Sequence, residues 1–338
     1  MRKTEEFDFY DRTALKSYNL NKTMRYQLSI LDSLDAFTRK HSENVANLTC
    51  RICEYLHLDK GFTIYCTTCA YLHDIGKTFI PPSVLQKQGA LTDEEYEVMK
   101  RHTTIGSKMC MEDLQLRPYY AGALYHHEGL DGSGYPKGLI GDEIPYEAQI
   151  IRVADEFDAI TSKRQYKTHI GTVDTLKILI ENSRPIGPLK KEIGTKRVYK
   201  EQAFEKREGE NSVIDKIKRT EARTKYGKID KKILKALIKV IIDDTEAEIA
   251  ARIDYVDFLK EEIKRIESAV KYYKKMAISK LPSSKDYYRA IAQSYLRPYE
   301  NVDALPNILQ ELKDAFKSRQ KNITDLFKEV KQIKRLSV

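Results

Sequence analysis

Apolar positions along this chain recur at spacings of three and four residues, and two-residue alternation is nearly absent, so the pattern predicts helices and an all-α fold. In "HSENVANLTCRICEYL" the apolar stripe is Val45, Leu48, Ile52 and Leu56. "LTDEEYEVMKRH" starts a helix at Thr92, with Glu95 three residues on, the signature of a capping box. "YEAQIIRVADEFDAI" reads as an apolar helix interrupted by acids, and "VDTLKILIENS" as a helix that Thr172 would cap. Turns fall at "IGKTFIPPS" and at "YHHEGLDGSGYPKG" (125–138).

The periodicity breaks from 183 to 223, a stretch rich in charge, glycine and proline that reads as an inserted loop, and resumes at "KIDKKILKALIKVII". Two long stripes follow. One is Ile249, Ile253, Val256, Leu259, Ile263, Ile266, Val270 and Tyr273; the other is Leu305, Leu309, Leu312, Phe316, Ile323, Leu326, Val330 and Ile333. Such spacing predicts a C-terminal helical region over 245–338, a hairpin or coiled coil with a short tyrosine-bearing helix between the stripes, and favours a homodimer through these helices. Residues 1–25 read as a helical lead-in.

The formal net charge of +9 is uneven: residues 181–338 hold 37 Lys and Arg against 25 Asp and Glu, so the basic character lies beyond the histidine-rich part. Solvated helix faces account for it better than nucleic acid does, which makes a nucleic-acid partner unlikely in this reading. No apolar run is long enough to span a membrane, and the charged N-terminus is unlike a signal peptide, so the cytoplasm is expected. Cys50, Cys53, Cys66 and Cys69 have zinc-ribbon spacing, but both pairs fall inside helical patterns and neither has a Gly or Pro knuckle nearby, so they read with Cys110 as small core residues.

Candidate chemistry rests on the histidines. His41, His73, His102 and His126–His127 are separated by about one helix plus a return, and Asp155 lies one further step along, so an antiparallel bundle can bring them to one point. His57 and His169 fall outside this spacing and read as surface residues. Adjacent helical residues point ~100° apart. His73–Asp74 and His126–His127 therefore suit two metal ions, with the aspartate between them, better than one. Imidazole and carboxylate ligands together favour iron, manganese or zinc over magnesium. Paired metals hydrolyse phosphate esters by clamping the attacking and leaving oxygens, with a bridging hydroxide as nucleophile.

His41–Ser42, "HDIGK" (73–77), "LTDEEYEVMKRH" (91–102), "HHEGLDGSGYP" (126–136) and "VADEFDAITSKRQYK" (153–167) together resemble the HD-GYP family, a branch of the HD-domain phosphohydrolases. The complete "HHExxDGxGYP" pattern is the specific part. The resemblance implies an HD-domain helical bundle over 26–242, with 183–223 as an insertion, and hydrolysis of cyclic di-GMP to linear pGpG or GMP. It implies a centre of two or three metals, commonly iron or manganese. The ligands it implies are His41, His73, Asp74, His102, His126, His127 and Asp155. Asp74 and Lys77 would be catalytic, and Lys77 would meet a phosphate; Arg164 and Lys167 would contact substrate. The chain departs from the family at Gln165, where proline is usual, and at Gly129, where a basic residue is common.

The paired imidazoles of the 125–138 stretch thus read as metal ligands. Gly132 and Gly134 are expected to turn the chain at positive φ, with Pro136 stiffening the turn. Tyr135 could stand beside substrate or only pack the loop. Two other readings stand beside cyclic di-GMP hydrolysis: a phosphodiesterase for another cyclic dinucleotide such as cyclic GMP-AMP, and a catalytically weak sensor or adaptor. Relatives with a third metal use a carboxylate one helical turn before the first histidine. Here that position is Phe37, so two metals are expected.

Overall fold

The structure, a computed structural model, describes residues 36–162, 170–186, 213–298 and 300–338. The regular elements among these residues are helices, with one isolated backbone bridge, between Asp131 and Ile140. The 1–25 lead-in lies outside the described residues. The described residues form two compact units, one of those up to 241 with 336–338, and one of those within 242–335.

In the first unit α1 (Ala36–Tyr55) packs against α2 (Lys60–Leu72) and against α6 (Tyr146–Thr161). Val45 and Ile52 of the first stripe are fully buried. Asp59 starts α2 by accepting from Gly61 N at 2.7 Å and Phe62 N at 3.2 Å. A 3-10 turn, Ile75–Phe79, leads to the short α3 (Pro82–Leu85) and then α4 (Asp93–Glu112). The Thr92–Glu95 capping box is present: Glu95 N donates to Thr92 Oγ1 at 3.2 Å, and Thr92 N to Glu95 Oε2 at 2.7 Å. α4 packs on the 3-10 turn and on α5 (Tyr120–Tyr125).

All five cysteines are buried free thiols. Burial pushes Cys50 and Cys110 up to about 12, which keeps them protonated core residues. In α6, Ile150, Ile151, Val153 and Ala154 are fully buried, and the interrupting acids Asp155 and Asp158 are buried with them.

Two expectations change. α7 (Thr172–Asn182) is preceded by Gly171 as its N-cap; Thr172 is already its first helical residue and makes no cap. The 183–223 stretch is not loop to its end, because α8 (Val213–Lys225) occupies its last part. "VIDKIKRTEA" restores apolar positions Val213, Ile214, Ile217 and Ala222 at helical spacing, and Ala222 is buried. Residues 187–212 lie outside the described set.

α9 (Lys231–Ile278) starts in the first unit, where Ile233, Leu234 and Leu237 are fully buried, and continues into the second. The second unit is that continuation with α10 (Pro282–Ser294) and α11 (Leu305–Ile333). Lys334 pairs with Glu246 and Lys313 with Glu267, both at 2.6 Å, so α9 and α11 run antiparallel. Ile249, Val256, Leu259, Ile266 and Val270 from one stripe, and Leu305, Ile323, Val330 and Ile333 from the other, are buried within this hairpin. One chain therefore covers most of the apolar surface that had favoured a second copy. Around the corner, Arg265 forks onto both Glu300 oxygens at 2.8 Å and onto Tyr295 O at 2.7 Å. No helix among the described residues is long and apolar enough to cross a membrane.

Candidate metal centre

Seven side chains from five segments meet in the first unit. His41 comes from α1. His73 and Asp74 stand where α2 ends and the 3-10 turn begins, and His102 lies within α4. His126 closes α5, His127 follows it, and Asp155 comes from α6. Both doublets therefore sit at helix ends, where the chain can aim neighbouring side chains differently. Gly76 brings the His73–Asp74 turn against α4: a Cβ there would lie 2.0 Å from His102 O and 2.5 Å from Gly106 N.

The carboxylate of Asp74 divides the donors. Its Oδ2 lies 3.3 Å from His73 Nε2 and 3.6 Å from His41 Nε2. Its Oδ1 lies 3.5 Å from His102 Nε2 and 4.0 Å from His126 Nε2. Asp155 Oδ1 joins the first set at 3.0 Å from His41 Nε2, and its Oδ2 lies 3.8 Å from His127 Nδ1. Three groups able to hold an ion result, His41–His73–Asp155, His102–His126–His127 and His73–Asp74–His126, the last joining Asp74 to one histidine from each of the other two.

The remaining ring nitrogens are committed. His73 Nδ1 donates to Ala70 O at 2.6 Å, His102 Nδ1 to Met99 O at 2.7 Å, and His126 Nδ1 to Gly122 O at 2.9 Å. With those tautomers each Nε2 turns a lone pair inward. His102 Nε2 and His126 Nε2 face each other at 3.2 Å, and His73 Nε2 and Asp74 Oδ1 are buried with no hydrogen-bond partner. Buried acceptors left unpaired are costly, and a divalent cation is what this donor set fits.

Burial pushes His102 down to about 4 and holds His126 and His127 well below the usual imidazole range. Burial also depresses His41, but hydrogen bonds to Asp155 and Asp158 more than offset it and hold that imidazole at about 9. Burial alone would raise the Asp74 and Asp155 carboxyls. Lys77 and His73 beside Asp74, and His41 and His127 beside Asp155, instead hold both well below their usual range.

Lys77 Nζ lies 2.5 Å from Asp74 Oδ2 at the edge of the cluster, with its side chain 16% exposed. Tyr135 lies over His127, ring centroids 4.8 Å apart. Arg164, Lys167 and His169 lie outside the described residues, and His57 is exposed. Two functional residues went unremarked in the sequence. Asp158 Oδ2 accepts from His41 Nδ1 at 2.6 Å, and Asn44 Nδ2 donates to Asp158 Oδ1 at 2.9 Å. The signal was its place one turn after Asp155 on the same helix. Glu128, wholly buried, accepts from the backbone of Lys137 at 2.7 Å, Gly138 at 3.1 Å and Leu139 at 3.0 Å. It ties the far side of the loop to the histidine pair.

The glycines of that loop act differently from expectation. Gly132 has φ +74, but Gly134 does not take a positive φ. A Cβ on Gly134 would stand 2.3 Å from Glu128 Cα and Gly129 N, so its role is close backbone approach. Asp131 Oδ1 accepts from Ser133 N at 3.0 Å and Ser133 Oγ at 2.6 Å. Arg152 Nη1 binds the carbonyls of His127 at 2.8 Å and Glu128 at 3.0 Å. Leu130 N donates to Lys228 O at 3.0 Å, so the segment after the broken stretch returns to brace the loop.

A family model described as "HD domain" matches residues 12–188, just over half of the chain. A cyclic di-GMP phosphodiesterase of Thermotoga maritima is 45% identical over 148 residues, 41% of this chain and 40% of that protein. The cyclic di-GMP phosphodiesterase response regulator RpfG of Xanthomonas campestris is 45% identical over 136 residues, 39% of this chain and 36% of its own. A 3'3'-cGAMP-specific phosphodiesterase of Vibrio cholerae is 35% identical over 153 residues, 45% and 33% of the two chains. The matched segment thus spans well under half the length of each of these relatives.

Proposed function

This chain belongs to the HD-domain family, in its HD-GYP branch, and on that premise we propose that it is a metal-dependent phosphodiesterase that opens cyclic di-GMP to linear pGpG or GMP. The observation that carries the reading is Asp74, whose two oxygens face separate groups of inward lone pairs. In this reading His41, His73 and Asp155 would hold one divalent ion and His102, His126 and His127 a second, with Asp74 standing between the two sets. Iron or manganese suits these donors. When bound, the ions supply Lewis-acid activation of water and of the phosphate.

The chain's own residues do the rest. Asp74 fixes the spacing of the two donor groups. Lys77, beside it and partly exposed, offers its ammonium to a non-bridging phosphate oxygen. Arg164 and Lys167 add positive charge for a dianionic substrate, and Tyr135, seated on His127, forms one wall of the approach. The alternative substrate, a cyclic GMP-AMP, has support in the names of Vibrio cholerae relatives at 35% and 34% identity, against 45% for two cyclic di-GMP enzymes. The expectation of a homodimer through the C-terminal helices draws less on the stripes, most of which are buried within one chain; light scattering at micromolar concentration tests it.

The test of the function is to incubate iron- or manganese-loaded protein with cyclic di-GMP, 3'3'-cyclic GMP-AMP and cyclic di-AMP and to separate the products by chromatography. Linear dinucleotide or mononucleotide from cyclic di-GMP is the expected result, lost in the His73→Ala/Asp74→Ala double variant. Every cyclic dinucleotide left intact would overturn the reading in favour of a sensor.

A further inference from the structure

Beside Tyr135, whose ring rests on His127, α4 and the 134–136 loop flank an open cleft of about 210 Å³. It is lined by Glu97, Lys100, Arg101, Thr104, Tyr135 and Pro136. Lys100 Nζ lies 5.1 Å from the Tyr96 ring centroid and 5.8 Å from that of Tyr135, and it is ion-paired with Glu97. Cation–π contact with two rings holds the ammonium in place at the cleft wall. The Tyr96 and Tyr135 rings meet edge to face at 6.3 Å, and Tyr135 in turn rests on His127. Lys100 and Arg101 immediately precede His102 in the chain. The cleft is thus joined to the donor cluster by one ring and by one peptide.

The lining says what fits. A second phosphate would call for cations alone, and Glu97 would repel it. A purine edge that carries an acceptor next to donors needs both signs. Guanine has that edge: O6 and N7 accept, while N1–H and the N2 amine donate. Arg101 or Lys100 can donate to O6 and N7, Glu97 can accept from N1–H and the amine, and Pro136 with the Tyr135 ring offers a flat apolar wall. We propose that this cleft is the subsite for a guanine base next to the scissile phosphate, with Glu97 as the residue that selects guanine over adenine. The assignment rests on the phosphodiesterase reading for its substrate, but its chemistry can be measured without turnover.

The experiment uses full-length, manganese-loaded protein and two readouts. Equilibrium binding of 5'-GMP and 5'-AMP is compared for wild type and Glu97→Ala, and KM and kcat are compared on cyclic di-GMP. Wild type should bind GMP about tenfold more tightly than AMP, and Glu97→Ala should erase that preference. KM for cyclic di-GMP should rise about tenfold in the variant, with metal content unchanged. A GMP preference that survives Glu97→Ala overturns the proposal. So does Arg101→Ala if it weakens GMP, AMP and inorganic phosphate alike, because the cleft would then be a phosphate seat. If wild type cleaves no cyclic dinucleotide yet loses its GMP preference with Glu97, the subsite stands and the phosphodiesterase reading falls. If it cleaves cyclic di-GMP and Glu97→Ala changes neither KM nor the preference, the reverse holds.

Discussion

His41 Nδ1 meets Asp158 Oδ2 at 2.6 Å, inside the protein and 117 residues apart in sequence. Asn44, one turn after His41 on α1, holds the other Asp158 oxygen at 2.9 Å. The aspartate thereby fixes the orientation of the imidazole and raises the basicity of Nε2, the nitrogen that faces Asp74 and Asp155. Asp158→Asn keeps the shape but removes the charge. We expect metal retention to fall ~10–100-fold, the range for such supporting carboxylates, read by titration of chelator-stripped protein with Mn²⁺. An affinity equal to wild type would reduce Asp158 to a packing residue.

The same pair sets a pH dependence for the metal-free protein. His41 is held at about 9 in the folded state, above its ordinary 6.5. Its contribution to stability is therefore complete below pH 6.5 and is lost as pH rises through about 9. His102, pushed down to about 4, acts oppositely: the unfolded chain takes up its proton first as pH falls below 6.5, which weakens the fold. The thermal midpoint in excess chelator should peak at about pH 6.5 and decline on both sides. Excess Mn²⁺ should flatten the alkaline decline, because a ligating imidazole has already given up its proton. A midpoint still climbing at pH 9 in chelator would mean that His41 is neutral in the fold.

The helices and the seven clustered side chains were legible because each depends on a local rule: stripes at three and four, a Thr–Glu capping box, histidines one helix apart. What escaped depends on where strands of backbone meet. "DEFDAI" puts Asp158 one turn after Asp155 but does not say that it lies under His41, and nothing in "HHE" says that its glutamate closes a loop eleven residues long. Gly134 was assigned a positive φ because that is the common use of glycine in turns; the structure instead uses it to let two backbone segments touch. The paired stripes of α9 and α11 fit an intramolecular hairpin and a dimer equally well as patterns, and it is the ion pairs Lys334–Glu246 and Lys313–Glu267, with the corner built by Arg265 and Glu300, that show them folding back within one chain.

Glu128 supplies a direct test of the loop. Its carboxylate takes three backbone N–H groups, of Lys137, Gly138 and Leu139. Glu128→Ala leaves those donors unmet in a part-buried place and should destabilise the protein by on the order of 3 kcal/mol. Glu128→Gln keeps an acceptor oxygen and should lose less. Urea denaturation of both variants, with limited proteolysis across 129–139, checks the order. Equal stability of the two would show that carboxylate acceptance does not hold the loop.

We expect the number of metals to follow from what the helix that carries His41 can offer. Position 37 lies on α1 four residues ahead of His41, so a carboxylate there would share its face. This chain has Phe37, which carries no ligand atom. The donors the structure gathers are seven, with the two oxygens of Asp74 facing His41 and His73 on one side and His102 and His126 on the other. Protein purified without chelator should therefore hold about two transition metals per chain after dialysis, measured by elemental analysis. Phe37→Glu should raise that figure toward three without loss of the first two, since the six donors and Asp74 are untouched. Three tightly held ions in the wild type would require a ligand outside the seven, and a Phe37→Glu protein still at two would show that position 37 does not reach the centre.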